Sequence, residues 1–226
     1  MMKKLVVLTG AGISAESGLQ TFRDVDGLWE NHKIEDVATP GAWKKNPQLV
    51  LDFYNMRRKN VMDAKPNAAH YGLAELQDFF DVQIITQNID DLHERAGSKN
   101  VLHLHGEILK MRSDKNESLI YPVTGDIHLG DMAKDGAQLR PHIVWFEEPV
   151  PMILAAIPIV ESADIFVVVG TSLAVYPASG LVDLLNNGVR KYIIDRSIPF
   201  VRSTSFTAIE KPATEGIVDL KNLLLA

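Results

Sequence analysis

A chain of 226 residues, 46% of them hydrophobic, is long enough to bury a full core and reads as one large domain, 1–226, with a small appended module. Its 23 Lys and Arg against 29 Asp and Glu give a formal charge of −6, which argues against direct nucleic-acid binding and favours basic protein partners. The absence of cysteine excludes disulfides, thiol nucleophiles and thiolate metal sites together, and the lack of a membrane-length apolar run, with no cleavage signal after Met1-Met2-Lys3-Lys4, gives the expectation of a cytoplasmic protein with no membrane partner.

In chain order, Leu5-Val6-Val7-Leu8 is a wholly apolar run entering Thr9-Gly10-Ala11-Gly12, the pattern of a buried parallel strand ending in a glycine turn. A polar loop with an aromatic and an arginine follows, from Glu16 through Phe22-Arg23 to Gly27-Leu28-Trp29. Leu49, Phe53 and Met56 mark a helix over Pro47 to Met62, and Leu73, Leu76 and Phe80 a second. Val82-Gln83-Ile84-Ile85 is a strand running into Thr86-Gln87-Asn88, and Val101 to His105 reads as extended. Ser113 to Leu139 is polar and aperiodic, the mark of an insertion, with the module drawn at about 108–140. Ile165 to Val169 entering Gly170-Thr171-Ser172, and Ile193-Ile194 before Asp195, repeat the first strand's logic, while Leu181 to Leu185 and Leu220 to Leu224 read as helical. Alternating strands and helices of this kind predict an α/β fold: a Rossmann-like parallel sheet covered by helices on both faces, with ligands bound at the strand C-termini.

Gly10-Ala11-Gly12-Ile13-Ser14-Ala15 is a variant dinucleotide turn, in which small residues let backbone N–H groups approach a pyrophosphate at a helix start. Ala15 stands where the usual fingerprint has glycine, and no acidic strand end follows at the expected distance, which weakens a hydride-transfer dehydrogenase. Five blocks in order, GAGISAESGLQTFR from Gly10, TQNIDDLHERAG at 86–97, LHGE at 104–107, PHIVWFEE at 141–148 and VGTSLAVYPASG at 169–180, resemble the sirtuin family.

The resemblance implies an NAD-dependent protein deacylase, consuming NAD and yielding nicotinamide and O-acyl-ADP-ribose from acylated lysine of protein substrates. ADP-ribosyl transfer, NAD hydrolysis and a silent NAD-binding module are the alternatives. It implies that Gly10, Ala11, Gly12, Ile13, Phe22, Arg23, Trp29, Gln87, Asn88, Ile89, Asp90, Gly170, Thr171, Ser172, Asp195 and Ala213 bind the dinucleotide. Asp195 stands where the family usually has asparagine. Asn88 and Asp90 supply an amide and a carboxylate at the nicotinamide ribose. Imidazole has the right ordinary pKa for a general base; His103 and His105 share one face of an extended run, and the resemblance selects His105 because Gly106 follows it. Val144, Trp145 and Phe146 border the peptide groove. Tyr54 and Arg57, three apart on one helix face, match the pair of sirtuins that prefer succinyl or malonyl lysine, since phenol and guanidinium together bind a terminal carboxylate; a basic exposed face, with Arg58 and Lys59, is the plainer alternative. Sirtuins usually carry two Cys-x-x-Cys zinc pairs. Counted from His105 and Arg140-Pro141, these positions fall at Ser113, Asn116, Asp131 and Lys134, so no metal is expected, and Asp131 and Lys134 are able to pair. Oligomeric state is not legible.

Overall fold

The computed structural model describes residues 2–20, 28–30, 32–199 and 206–226. In chain order its strands are β1 (Lys4–Thr9), β2 (Leu28–Trp29), β3 (His32–Lys33), β4 (Asp81–Thr86), β5 (Val101–His103), β6 (Gly106–Ser113), β7 (Ile120–Pro122), β8 (Leu139–Ile143), β9 (Ile165–Val169), β10 (Arg190–Asp195) and β11 (Phe206–Glu210). The helices are α1 (Ile34–Val37), α2 (Pro40–Lys45), α3 (Pro47–Asp63), α4 (Ala68–Glu75), α5 (Leu92–Arg95), α6 (Ile153–Glu161) and α7 (Ala213–Leu225).

Six strands form one parallel sheet in the order β11-β10-β9-β1-β4-β5. The apolar run of β1 lies at its centre because it is buried on both faces. Leu5 and Val7 pack with Leu73 of α4 and Ile217 of α7, and Val6 and Leu8 with Ala156 and Val160 of α6. Burying each such side chain contributes about 1.5–3 kcal/mol. The sheet is therefore covered by helices on both faces, as its uninterrupted apolar strands predict. From β1 the chain moves out to β4 and β5, and from β9 it moves the other way to β10 and β11, so the strand order switches between β1 and β9. Open α/β sheets bind ligands at such a point.

α3 begins where Asn46 caps it, its Oδ1 accepting from Leu49 N at 3.1 Å, with Pro47 in the first turn. The expected helix face is corrected in one position: Met56 is exposed, and the buried stripe runs through Val50, Phe53, Tyr54, Arg57, Arg58 and Val61. Two further expectations shift. The glycine turn is followed by two single 3-10 turns, Ala11–Ile13 and Ala15–Ser17, where a helix start was expected, and Ala178–Leu184 is likewise 3-10. No helix among the described residues is long and apolar enough to cross a membrane.

Strands β6, β7 and β8 form a separate antiparallel sheet in the order β7-β6-β8. It packs on α2 and α3 through a third core that includes Trp43, Phe53, Tyr54, Ile108, Leu139 and Trp145. The positions aligned with zinc cysteines do other work. Ser113 Oγ donates to Asp135 Oδ2 at 2.7 Å and accepts from Lys115 N and Asn116 N, each at 3.1 Å. Asn116 Oδ1 accepts from Ser118 N, and Asp131 Oδ2 from His128 N at 2.7 Å, while Lys134 N donates to Tyr121 Oη. The expected Asp131–Lys134 pair is replaced by these local bonds. A hydroxyl already engaged, an amide and an ammonium do not fit a tetrahedral zinc ion.

The insertion is also stitched to α3. Asn55 Nδ2 donates to Ile127 O at 3.0 Å and its Oδ1 accepts from Ile127 N at 2.9 Å. Arg58 donates to Ile108 O, Gly125 O and Asn55 Oδ1 at 2.9, 3.1 and 2.8 Å. Burial, opposed by Asp126, lowers the Arg58 guanidinium to about 10. The exposed basic face is excluded for Arg57 and Arg58, both of which are buried.

Candidate active site

The turns after β1 and β9 interlock at the switch point. Gly10 N donates to Val169 O at 3.0 Å and Gly12 N to Gly170 O at 2.8 Å. A Cβ on Gly12 would stand 2.7 Å from Gly170 Cα, and one on Gly170, whose φ is +63°, 2.3 Å from Ile13 N. Only glycine allows this approach, and it leaves backbone at the mouth of a cleft of about 1240 Å³. A backbone cradle without side chains fits the pyrophosphate of a dinucleotide.

Most expected site residues meet in that cleft. Gly10, Ala11 and Gly12 line it from β1, Gln87 to Asp90 from the end of β4, and Gly170 to Ser172 from the end of β9. Asp195 enters from β10, its Oδ1 accepting from Ser197 N at 3.1 Å, and Ala213 from the start of α7. Trp29, Tyr54 and Arg57 form one wall, and Val144, Trp145 and Phe146 another. Ile13 does not line the cleft: its side chain is fully buried in the core beneath, because the 3-10 turn points it down toward β1. Phe22 and Arg23 lie outside the described residues.

At the centre, Ser14 joins the amide and the carboxylate. Its hydroxyl donates to Asp90 Oδ2 and accepts from Asn88 Nδ2, each at 3.1 Å. Leu92 N donates to Asp90 Oδ1 at 3.2 Å, and Asn88 N to Thr86 Oγ1 at 3.0 Å, so both side chains are held on a loop that would otherwise be free. Burial pushes the Asp90 carboxyl up, against the Leu92 and Ser14 hydrogen bonds and the charge of His103.

The two histidines are separated by their partners. His105 Nδ1 is 2.9 Å from the Gln87 carbonyl, which only accepts, so Nδ1 carries the proton and Nε2 the lone pair. Burial lowers this imidazole below its ordinary value, opposed by the Gln87 bond. His103 meets the Asn88 carbonyl through Nδ1 at 2.9 Å and Glu94 Oε1 through Nε2 at 2.8 Å. Burial alone would lower it, but the Glu94 bond and charge outweigh burial and raise it, and both of its nitrogens face groups that only accept. His105 lines the cleft and His103 does not. Gly106 follows with φ +80°, where a Cβ would strike the His142 carbonyl at 2.1 Å, so β8 presses on the turn that presents His105.

Arg140 holds the part of the wall that Trp145 lines, beside Tyr54, whose ring centre lies 6.3 Å from that of Trp145. It binds Glu148 through both terminal nitrogens at 2.8 and 3.1 Å and lies 3.2 Å over the Trp145 ring, while Glu148 Oε2 accepts from Trp145 N. Sequence reasoning missed Ser14, Glu148 and Glu30 as functional candidates. Ser14 sat within the quoted glycine block, and the other two carry no periodic signal.

The sequence model of the Sir2 family matches residues 10–177. A protein of Helicobacter pylori strain J99 named NAD-dependent protein deacylase is 56% identical over 225 residues, covering 99% of this chain and 96% of the relative. Among solved structures, a Sir2 homologue bound to ADP-ribose is 37% identical with a TM-score of 0.89, covering 100% of this chain and 95% of that one. A Sir2 homologue bound to NAD is 38% identical with a TM-score of 0.86, covering 99% and 90%. The motif order, the interlocked glycine turns and these likenesses agree: the chain belongs to the Sir2 family.

Proposed function

We propose that this chain is an NAD-dependent protein-lysine deacylase, with His105 as general base and with succinyl and malonyl groups favoured over acetyl. Its relatives' names supply the reaction class, and the observation that carries the site is the convergence of His105, Asn88 and Asp90 on one cleft at the switch point. When bound, NAD supplies the ADP-ribosyl group that takes the acyl oxygen and releases nicotinamide. The interlocked glycine turns spend the Gly10 and Gly12 N–H groups on Val169 O and Gly170 O, and would take the pyrophosphate through the close approach that their missing side chains allow. Asn88 and Asp90, oriented by Ser14, meet the nicotinamide ribose and carboxamide, and the buried Asp90 carboxylate favours positive charge developing beside it. His105 Nε2 accepts a proton from a ribose hydroxyl while Nδ1–H stays on Gln87. Val144, Trp145 and Phe146 spend their N–H groups on His105 O, Glu148 Oε2 and Ala38 O, so an extended substrate peptide would be met here by their side chains and carbonyls.

The acyl preference rests on Tyr54 and Arg57. Arg57 is buried, and its Nε has no hydrogen-bond partner among the described residues. Tyr54 and Arg57 both line the cleft, so a phenol and a guanidinium stand ready for a terminal carboxylate that enters it. The test is to incubate the purified protein with NAD and matched acetyl, succinyl and malonyl peptides and to identify products by mass spectrometry. Nicotinamide with O-acyl-ADP-ribose, formed faster from succinyl and malonyl peptides, is expected. Free ADP-ribose without acyl transfer on every peptide would give the assignment to an NAD hydrolase instead.

A further inference from the structure

Arg57 does not face the pocket as a naked cation. Its Nη1 is 2.9 Å from Glu30 Oε1, with the two side chains only 7% and 13% exposed, and its guanidinium lies 4.7 Å from the centre of the Trp29 ring. Nη1 also approaches the Gln20 carbonyl at 3.5 Å. Glu30 follows Trp29, which pairs with His32 across two short antiparallel strands. Its φ is +50°, a left-handed conformation that a glutamate adopts at a cost. Trp29, Tyr54 and Arg57 line the cleft, whereas Glu30 reaches Arg57 from behind that wall.

We propose that Glu30 is a specificity-determining residue: a resident counter-ion to Arg57 that lets the acyl pocket accept uncharged acyl groups as well as carboxylate-bearing ones. This rests on the reading of Tyr54 and Arg57 as the acyl-recognising pair. An unpaired guanidinium buried beside an acetyl group would find no anion and would have to be kept solvated or neutralised. Glu30 supplies that anion from outside the acyl channel and occupies one terminal nitrogen, Nη1, while Arg57 still lines the cleft. Guanidinium has five donors, so a succinyl carboxylate and Glu30 both fit around it. Two carboxylates on one cation repel, and the resident one therefore moderates the preference for the acidic acyl group while keeping the neutral one tolerable.

Glu30→Gln keeps the side chain's shape and an acceptor for Nη1 but removes the charge. Steady-state kinetics with succinyl and acetyl versions of one peptide should show KM falling for succinyl and rising for acetyl. Their kcat/KM ratio should tilt toward succinyl by about tenfold, the factor equivalent to about 1.4 kcal/mol. A merely structural role for Glu30 would depress both substrates together and leave the ratio fixed. Should Glu30→Gln lower the melting temperature sharply, Glu30→Asp, which keeps the charge but draws it back, must tilt the ratio the same way by a smaller factor. A ratio unmoved in these variants, while Arg57→Met collapses desuccinylation, overturns the counter-ion role and leaves the acyl reading intact. A ratio unmoved in Arg57→Met overturns the acyl reading itself.

Discussion

Two imidazoles two residues apart acquire opposite characters from the carbonyls and carboxylates they meet. His103, held at both nitrogens, has no lone pair to offer, whereas His105 keeps Nε2 open and is biased toward the neutral form. His105→Ala should lower deacylation at least about 100-fold, the scale of lost general-base catalysis, while calorimetry shows NAD affinity unchanged. Because the free-enzyme imidazole is lowered, the base form persists below pH 6.5, and the acid limb of kcat/KM should lie on that side. An acid limb above pH 6.5 would assign the titration to another group. The histidines themselves were legible, but not the distinction between them. Treating Val101 to His105 as one extended run put both on one face; the strand stops at His103, and the acceptors come from Gln87 and Asn88 on a loop distant in sequence.

α3 carries both the proposed acyl-recognising pair and the anchor of the small antiparallel sheet, on successive residues. Tyr54 and Arg57 turn to the cleft, while Asn55 and Arg58 reach the 123–127 segment and Ile108. A family that usually clamps this module with zinc is here served by hydrogen bonds from a helix outside the module and by the Ser113–Asp135 contact within it. Asn55→Ala removes both bonds to Ile127 and orphans part of Arg58, at a cost of about 3 kcal/mol. Hydrogen exchange should then quicken in residues 114–138 and leave β1, β4 and β9 protected; uniform quickening would mean that the module has no separate anchor. Exhaustive dialysis against a chelator should leave the melting temperature and the deacylation rate unchanged, and a fall in either that zinc restores would return the metal to the site. The sequence revealed the insertion through its polarity and the start of α3 through Asn46-Pro47. It concealed the anchor, because basic residues beside Lys59 resemble a solvated face until the partner segment, more than 60 residues later, folds over them.

At the scale of the whole molecule, the sheet was legible because strands buried on both faces are apolar throughout, and the cleft because glycine, hydroxyl and amide residues gather where those runs end. The strand order was not, since nothing in an apolar run says which neighbour it takes, and the switch between β1 and β9 is a tertiary outcome. Nor was the polar layer below the cleft. Thr9 Oγ1 donates to Thr86 Oγ1 at 2.8 Å and meets His93 Nε2 at 3.0 Å; the His93 ring packs edge-on against His70, 5.0 Å away, and His70 Nε2 stands 3.5 Å from Ser14 Oγ. Burial lowers His70 to about 4 and His93 well below its ordinary value, so the fold holds both neutral. A folded pKa below the unfolded one gives stability that is present above pH 6.5 and is lost as pH falls toward the folded value. His103, shifted the other way, contributes fully below pH 6.5 and changes nothing further in that window. At about 1.36 kcal/mol per unit, His70 alone should cost the protein about 2 kcal/mol between pH 6.5 and 5. Urea unfolding at those two values should show that loss, and His70→Gln, which cannot titrate, should show it reduced by about the same amount. An equal loss in the variant would move the acid sensitivity elsewhere. A proton on folded His70 would set a positive charge beside the hydroxyl that joins Asn88 to Asp90, but the folded imidazole takes that proton only as pH nears about 4, so catalysis by the folded protein should lose this support below the window in which stability falls.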